Sequence, residues 1–133
     1  MEHKSLNITR LHREHLIWLM DANYMLNEIT FLQKLVADVK EELSRHDQHR
    51  ILNETLNKLH SLGENLHSLM RDISGKDDRL QKAVRISLFN FDQFLIEEHC
   101  DCGRQLDEIK QSIVTLKENL YQYISEQKIR VVA

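Results

Sequence analysis

The sequence predicts an all-α protein, an up-down antiparallel bundle of long helices joined by short connections. Composition is the first observation: the 133 residues include no proline and three glycines, while 29% are charged and 41% are apolar. Such a composition is typical of long helices. Periodicity is the second, because apolar residues recur in steps of three and four along most of the chain, as in a coiled coil. The length suits one domain over residues 1–133.

The first predicted helix runs from about Ser5 to Leu43 and carries the longest apolar seam. The seam residues keep heptad spacing, and His15 is the one polar member: Leu11, His15, Trp18, Ala22, Met25, Ile29, Leu32, Val36, Val39 and Leu43. At about 1.5 Å rise per residue the seam is roughly 50 Å long. Other helices must cover it, because burial of apolar surface is the main driving force of folding.

A second apolar row lies on the same helix, about 130° around the helix axis from the seam. Its members Ile17, Tyr24 and Phe31 recur at heptad spacing. The predicted interface adds three further apolar residues: Leu35, Phe89 and Phe94. Two interpretations stay open. Either this helix lies deep in the bundle with several neighbours, or the row contacts a second copy, since large exposed apolar patches mark interfaces.

The second predicted helix runs from about Asp47 to Ile73. Its seam again follows steps of three and four: Leu52, Thr55, Leu59, Leu62, Leu66, Leu69 and Ile73. Gly63 falls inside this helix, where we expect it to let a neighbouring helix approach closely. Gly75 then predicts a helix stop, with Asp77 or Asp78 capping the helix that follows.

The third predicted helix begins near Asp78 and carries a seam of mixed residues: Leu80, Val84, Leu88, Phe91, Leu95, His99, Cys102, Leu106, Ile109, Ile113, Leu116, Leu120 and Tyr123. Two alternatives stay open for it. It forms one rod of about 50 residues, or it breaks near Gly103 and gives a four-helix bundle. The single rod is favoured, because one glycine without a proline seldom ends a helix.

Charge and hydropathy argue against nucleic acid and membrane as partners. The formal net charge is −3, and the lysines and arginines are dispersed, so no basic face is available for phosphates. The longest apolar run, residues 16–20, is too short to span a bilayer. No apolar signal core follows the N-terminus, and the two cysteines are too close together for a disulfide framework. We therefore expect a cytoplasmic protein.

Histidines and cysteines suggest one alternative function, a metal-binding or redox bundle. His12 and His15 are three residues apart on one side of the first helix, and His99 precedes Cys100 and Cys102. These five side chains are of the types that bind zinc and other transition metals. However, Cys100 and Cys102 would point to nearly opposite sides of a helix. We expect one buried, inert cysteine and one exposed thiol, and no metal.

No motif in the sequence predicts catalysis. The Glu64-x-x-His67 spacing resembles half of a di-iron site, but both residues fall on the outer face of the second helix. Neither a glycine-rich phosphate loop nor a Gly-x-Ser-x-Gly motif is present. We therefore expect no enzyme and no cofactor. The expected function is protein–protein interaction, as a scaffold, adaptor or assembly module, with a homodimer as the favoured assembly and another protein as the alternative partner.

Overall fold

A computed structural model confirms the all-α bundle and shows three helices: α1 (Glu2–Glu42), α2 (His46–Arg85) and α3 (Gln93–Glu126). It describes residues 2–43, 46–85 and 93–127, except for the side chains of residues 2–8, 46–48, 83–85, 93–98 and 100. Within these ranges there is no strand, and no helix has an apolar stretch long enough to cross a membrane.

Helices α1 and α2 are antiparallel neighbours. Near the end of α1 and the start of α2, Lys40 Nζ donates a hydrogen bond to Asn53 Oδ1 at 2.7 Å. Near the start of α1 and the end of α2, His15 Nδ1 lies 2.8 Å from Asp77 Oδ1. One helix therefore ascends while the other descends, as predicted.

Helix α3 runs parallel to α1 and completes the up-down-up order. His99 and Lys117 of α3 contact Glu14 and Glu28 of α1, respectively. The later contact residue of α1 is paired with the later contact residue of α3, so the two helices run in the same direction. Each helix of the bundle consequently contacts both of the others.

The three predicted seams form the core. All seam residues of the first predicted helix, from Leu11 to Leu43, are buried or half-buried. The most completely buried side chains come from all three helices: Leu32, Val36, Val39, Leu52, Leu59, Leu66, Ile73 and Cys102. The heptad pattern therefore identified the buried face of each helix correctly.

The predicted helix stop at Gly75 is wrong, because α2 continues through it to Arg85. Seam spacing explains why: Ile73, Asp77 and Leu80 follow one another in steps of four and three, and all three are buried. A glycine inside a helix costs only about 1 kcal/mol, and burial of the next seam residues outweighs that cost. Asp77 is therefore a core residue and not a helix cap.

Helix α3 is shorter than predicted and passes Gly103 without a break, so the bundle has three helices and not four. It contains 34 residues, against 41 in α1 and 40 in α2. The three helices are thus similar in length, and the long third rod expected to extend beyond helix two is not formed. The predicted seam residues Leu88 and Phe91 lie outside the described part of the chain.

The close approach of two helices occurs at Gly103 and not at Gly63. A Cβ atom added at Gly63 would contact no atom of a neighbouring helix within 4 Å, whereas one added at Gly103 would lie 3.0 Å from Trp18 Cζ2. The expectation for Gly63 is therefore wrong. The missing side chain at Gly103 instead leaves room for the Trp18 ring between α1 and α3.

His49 satisfies backbone groups at the C-terminal end of α1. Its Nε2 lies 2.7 Å from the carbonyl oxygen of Leu43 and 3.1 Å from that of Lys40. Carbonyls only accept, so Nε2 carries the proton and donates. The last carbonyls of a helix have no partner within it, and a side chain from the start of α2 supplies one here.

We expect Leu32→Ala to lower the free energy of unfolding by about 2–5 kcal/mol, because the side chain is fully buried and its removal leaves a cavity. Met20→Ala is the matched control on the same helix. Met20 is 70% exposed, so its loss should change stability by no more than about 0.5 kcal/mol. Urea denaturation followed by circular dichroism measures both, and similar small effects would contradict the core assignment.

We expect Gly75→Ala to raise the free energy of unfolding by about 0.5–1 kcal/mol, because alanine favours the helix and the new Cβ meets no atom within 4 Å. Gly103→Ala is the comparison, since its Cβ would displace the Trp18 ring and offset the helix gain. Thermal unfolding measures both variants. A lower melting temperature for Gly75→Ala would show that α2 is not helical there.

Candidate functional site

Each helix contributes one polar residue to a common level of the core. His15, Asp77 and His99 all occupy seam positions, and His15 and Asp77 are 4% and 7% exposed. The side chain of His99 is 11% exposed. Burial of polar groups is unfavourable unless they are hydrogen-bonded, and these three residues satisfy one another together with neighbours on α1 and α2.

The Asp77 carboxylate is the centre of this cluster. His15 Nδ1 and His12 Nδ1 lie 2.8 and 2.9 Å from Oδ1, and Gln81 Nε2 donates to Oδ2 at 2.8 Å. Burial by itself raises the pKa of Asp77, but the hydrogen bonds from His15, His12 and Gln81 outweigh it and leave the pKa below its usual value. The carboxylate is therefore ionised at neutral pH.

His99 joins α3 to the same cluster. Its Nε2 is hydrogen-bonded to Glu14 Oε2, and its Nδ1 lies 3.4 Å from His15 Nε2. Burial lowers the pKa of His99, and the hydrogen bond to Glu14 opposes this without overcoming it. Burial raises the pKa of Glu14, but His99 and Arg10 outweigh that effect, so the pKa of Glu14 is also lowered.

Trp18 covers the cluster on the α1–α3 side. Its ring stacks on the His99 ring with centroids 4.4 Å apart and an interplanar angle of 22°. The His15 ring meets Trp18 edge-on at 6.0 Å. Because Gly103 has no side chain, the indole lies against the α3 backbone. The indole therefore shields one side of the two imidazoles.

Cys102 lies one turn beyond His99 on α3 and is 1% exposed. Lys76 Nζ donates a hydrogen bond to its Sγ at 3.2 Å. The expectation that one cysteine is a buried core residue is thus confirmed for Cys102. Asp101, between the two cysteines, is exposed and pairs with Arg104. The side chain of Cys100 lies outside the described residues.

The three histidines proposed as metal ligands do come together, but one ring nitrogen of each is hydrogen-bonded to a carboxylate. His12 and His15 bind one carboxylate through Nδ1, and His99 binds Glu14 through Nε2. In the described part of the chain, no group of three or more His, Cys, Asp or Glu side chains is arranged to hold a metal ion. What the cluster offers chemically is a hydrogen-bonded series of carboxylates and imidazoles, which can hold a proton.

The Glu64-x-x-His67 pair lies on the outer surface, as the sequence predicts. Both side chains are exposed, and Glu64 forms a surface ion pair with His60 at 3.1 Å. Neither residue contributes to the core cluster. Such exposed pairs contribute about 0–1 kcal/mol to stability.

The predicted interface residues divide into three groups. Ile17, Tyr24 and Phe31 are 48%, 72% and 57% exposed. Leu35 is 8% exposed and lies in the chain's own core, so it does not belong to the exposed row. Phe89 and the side chain of Phe94 lie outside the described residues. The structure adds two exposed apolar residues of α3: Val114 and Tyr121.

Sequence reasoning missed Asp77 and the partnership of His15 with His99. The signal for Asp77 was its place four residues after Ile73 and three before Leu80, which continues the seam of α2. Gly75 obscured that signal because it suggested a stop. Nothing in the sequence shows that Glu14 would reach His99, since they are 85 residues apart in the chain.

A scan against models of known protein families finds none that matches the chain, and searches of curated proteins and of solved structures likewise find no match. The fold and the site therefore define the class. The protein is a three-helix bundle with a buried histidine–aspartate cluster near the N-terminal end of α1 and an exposed apolar row on the same helix.

We expect Asp77→Ala to lower the free energy of unfolding by about 3 kcal/mol, because it leaves the Nδ1 donor of the buried His15, and that of the partly exposed His12, without their acceptor. Asp101→Ala is the control, since Asp101 forms an exposed ion pair with Arg104 and should contribute less than about 1 kcal/mol. Chemical denaturation at neutral pH measures both. Equal effects would contradict the central place of Asp77.

Proposed function

We propose that the protein is a non-enzymatic assembly module that forms a homodimer through the outer face of α1. The observation that carries this proposal is the exposure of Ile17, Tyr24 and Phe31 at heptad spacing. Large apolar side chains in water are unfavourable, and contiguous ones mark interaction sites. Aromatic residues are enriched in protein interfaces, and heptad spacing suits a helix as the opposing surface.

Helix α3 extends this surface on the side where it adjoins α1. Val114 and Tyr121 are 40% and 43% exposed and are also spaced by one heptad. Tyr24 and Val114 both line a cleft of about 290 Å³ between α1 and α3. We define the docking stripe as five of the exposed apolar residues of the two helices, those at heptad spacing: Ile17, Tyr24, Phe31, Val114 and Tyr121.

Charges beside the docking stripe support a second copy of the same chain as the partner. The α1 side of the cleft carries Asp21 and Glu28, whereas the α3 side carries Lys110. Lys117 of α3 lies 3.0 Å from Glu28 and 5.9 Å from the Tyr121 ring centroid. The hydrogen bond to Glu28 raises the pKa of Lys117. One edge is thus acidic and the other basic.

A two-fold axis parallel to the helices makes this surface complementary to itself. Because α1 and α3 run in the same direction, such an axis sets α1 of one copy opposite α3 of the other. The acidic edge of each copy then meets the basic edge of its partner, as an isologous interface requires. The opposite choice, α1 against α1, would oppose two acidic edges and is unfavourable.

Within this proposal the protein acts by binding and not by catalysis, and it is located in the cytoplasm. Both rest on the sequence arguments given above. Cys102 is a free and buried thiol, which agrees with a reducing compartment, where disulfides are rare.

Phe31→Lys tests the dimer. We expect the wild-type chain to sediment as a dimer at micromolar concentration, and the variant to sediment at the 15.9 kDa of one chain. A charge placed in a buried interface is unpaired, and loss of a central aromatic contact costs about 2 kcal/mol or more. Helicity by circular dichroism should be unchanged, because Phe31 does not belong to the core.

Ile51→Lys is the matched control, because Ile51 is 41% exposed on α2 and lies outside the docking stripe. It should remain dimeric. A wild-type chain that is monomeric at these concentrations would overturn the proposal. So would equal weakening by both variants, or loss of helicity in Phe31→Lys.

Charge reversal gives a second test of a self-complementary interface. Asp21→Lys combined with Glu28→Lys makes both edges basic, whereas Lys110→Glu combined with Lys117→Glu makes both acidic. Each double variant should be monomeric alone, and a mixture of the two should form a one-to-one heterodimer. Dimers of either double variant alone, with no preference for the mixture, would contradict the charge pairing.

A further inference from the structure

Five side chains, buried at the centre and partly exposed at both ends, form one continuous hydrogen-bonded series. In order, they are Glu14, His99, His15, Asp77 and His12, and we refer to them as the polar chain. Glu14 is bonded to His99 Nε2, His99 Nδ1 faces His15 Nε2, and Asp77 is bonded to the Nδ1 atoms of His15 and His12. The docking stripe does not include any of these residues.

The carboxylates determine which ring nitrogens carry protons. An ionised carboxylate accepts hydrogen bonds and cannot donate. His15 therefore donates from Nδ1 to Asp77 at 2.8 Å, and His99 donates from Nε2 to Glu14. In a neutral imidazole only one nitrogen is protonated, so each ring would then present its other nitrogen as a lone pair.

Those two remaining nitrogens face each other. His15 Nε2 and His99 Nδ1 lie 3.4 Å apart, and both belong to rings that are almost fully buried. Two lone pairs at this distance repel, and neither nitrogen has another partner among the described hydrogen bonds. A single additional proton between them converts the repulsion into an N–H···N hydrogen bond.

We propose that the folded protein binds one extra proton between His15 and His99, and that this proton fastens α3 to α1. The polar chain then holds two carboxylates, and the His15–His99 pair holds one imidazolium and one neutral imidazole in place of two neutral imidazoles. The site is thus a buried proton-binding site at the junction of the three helices.

The groups around the two rings differ. His15 is bonded directly to the Asp77 carboxylate, which His12 and Gln81 also contact from α1 and α2. His99 is close to the positive charge of Arg10, and burial lowers its pKa. On α3, Cys102 lies one turn beyond His99 and accepts a hydrogen bond from Lys76 Nζ. A neutral His99 therefore accepts at Nδ1 and donates at Nε2.

Stability depends on pH because the folded and unfolded chains bind different numbers of protons. This dependence has opposite signs above and below neutrality. Histidines of the unfolded chain release their protons near about pH 6.5. Above that pH the folded protein holds one proton more than the unfolded chain, so the proton's stabilisation is present below about pH 6.5 and is lost as the pH rises. The folding equilibrium constant falls by up to about tenfold per pH unit over this window.

The acid side has a different origin. Because the pKa of His99 is lowered in the folded protein, His99 is protonated at a higher pH in the unfolded chain than in the folded one. Stability therefore also falls as the pH drops below about 6.5. The lowered pKa values of Glu14 and Asp77 extend this loss to below about pH 4. Stability should consequently pass through a maximum near neutrality.

Nitrogen NMR of the wild-type protein tests the proton directly. Two-bond correlation spectra of the ¹⁵N-labelled histidine rings distinguish imidazolium from each neutral tautomer, and single His→Gln variants assign the signals. At neutral pH we expect one ring of the His15–His99 pair to be an imidazolium. The other ring should be neutral and protonated at Nε2. Two neutral rings, each with one unprotonated nitrogen, would overturn the proposal.

The alkaline loss of stability gives the second test. His99→Asn replaces the facing lone pair by an amide that donates to His15 Nε2 without a titrating proton. We expect the decrease in the folding equilibrium constant between about pH 7 and 8.5 to be several-fold smaller in this variant, whatever its absolute stability. His60→Gln, at an exposed position paired with Glu64, should retain the wild-type slope. An unchanged slope in His99→Asn would also overturn the proposal.

Discussion

The ionised carboxylate of Asp77 in the core constrains how the three helices pack. Apolar seams with heptad spacing pack nearly as well after a shift of seven residues, about 10 Å along the axis. The polar contacts do not tolerate such a shift, because it would leave a buried charge without its donors. His12 and His15 therefore fix α1 against α2, and the contacts of His99 with Glu14 and His15 fix α3 against α1.

The outer faces of the helices differ in chemistry. Between α2 and α3 lies an open groove of about 630 Å³. Small polar side chains make up much of its lining: Asn57, Ser61, Ser112, Thr115 and Asn119. Water satisfies such groups readily. The outer face of α1 instead carries Ile17, Met20, Tyr24 and Phe31, all exposed. A bundle of three helices leaves the outer side of each helix uncovered, and on α1 that outer side is largely apolar.

The glycines show where local preference and tertiary packing disagree. Gly75 has the flanking residues of a helix terminus, yet Ile73 and Leu80 on either side are buried and hold the backbone in a helix. Gly103 lies within a helix in both the prediction and the structure, but its role comes from Trp18, a residue 85 positions earlier in the sequence. Helix propensity describes neighbours along the chain, whereas these outcomes depend on neighbours in space.

The sequence by itself determined that this protein is helical, which face of each helix is buried, and that α1 carries a second, surplus apolar row. Those properties follow from the spacing of residues on one helix, which a 3.6-residue repeat converts directly into a face. Only the tertiary structure decided that α2 continues past Gly75, that α3 is unbroken at Gly103, and that Glu14, His15, Asp77 and His99 meet. Such contacts join distant parts of the chain, and they exist only once the helices are packed in one register.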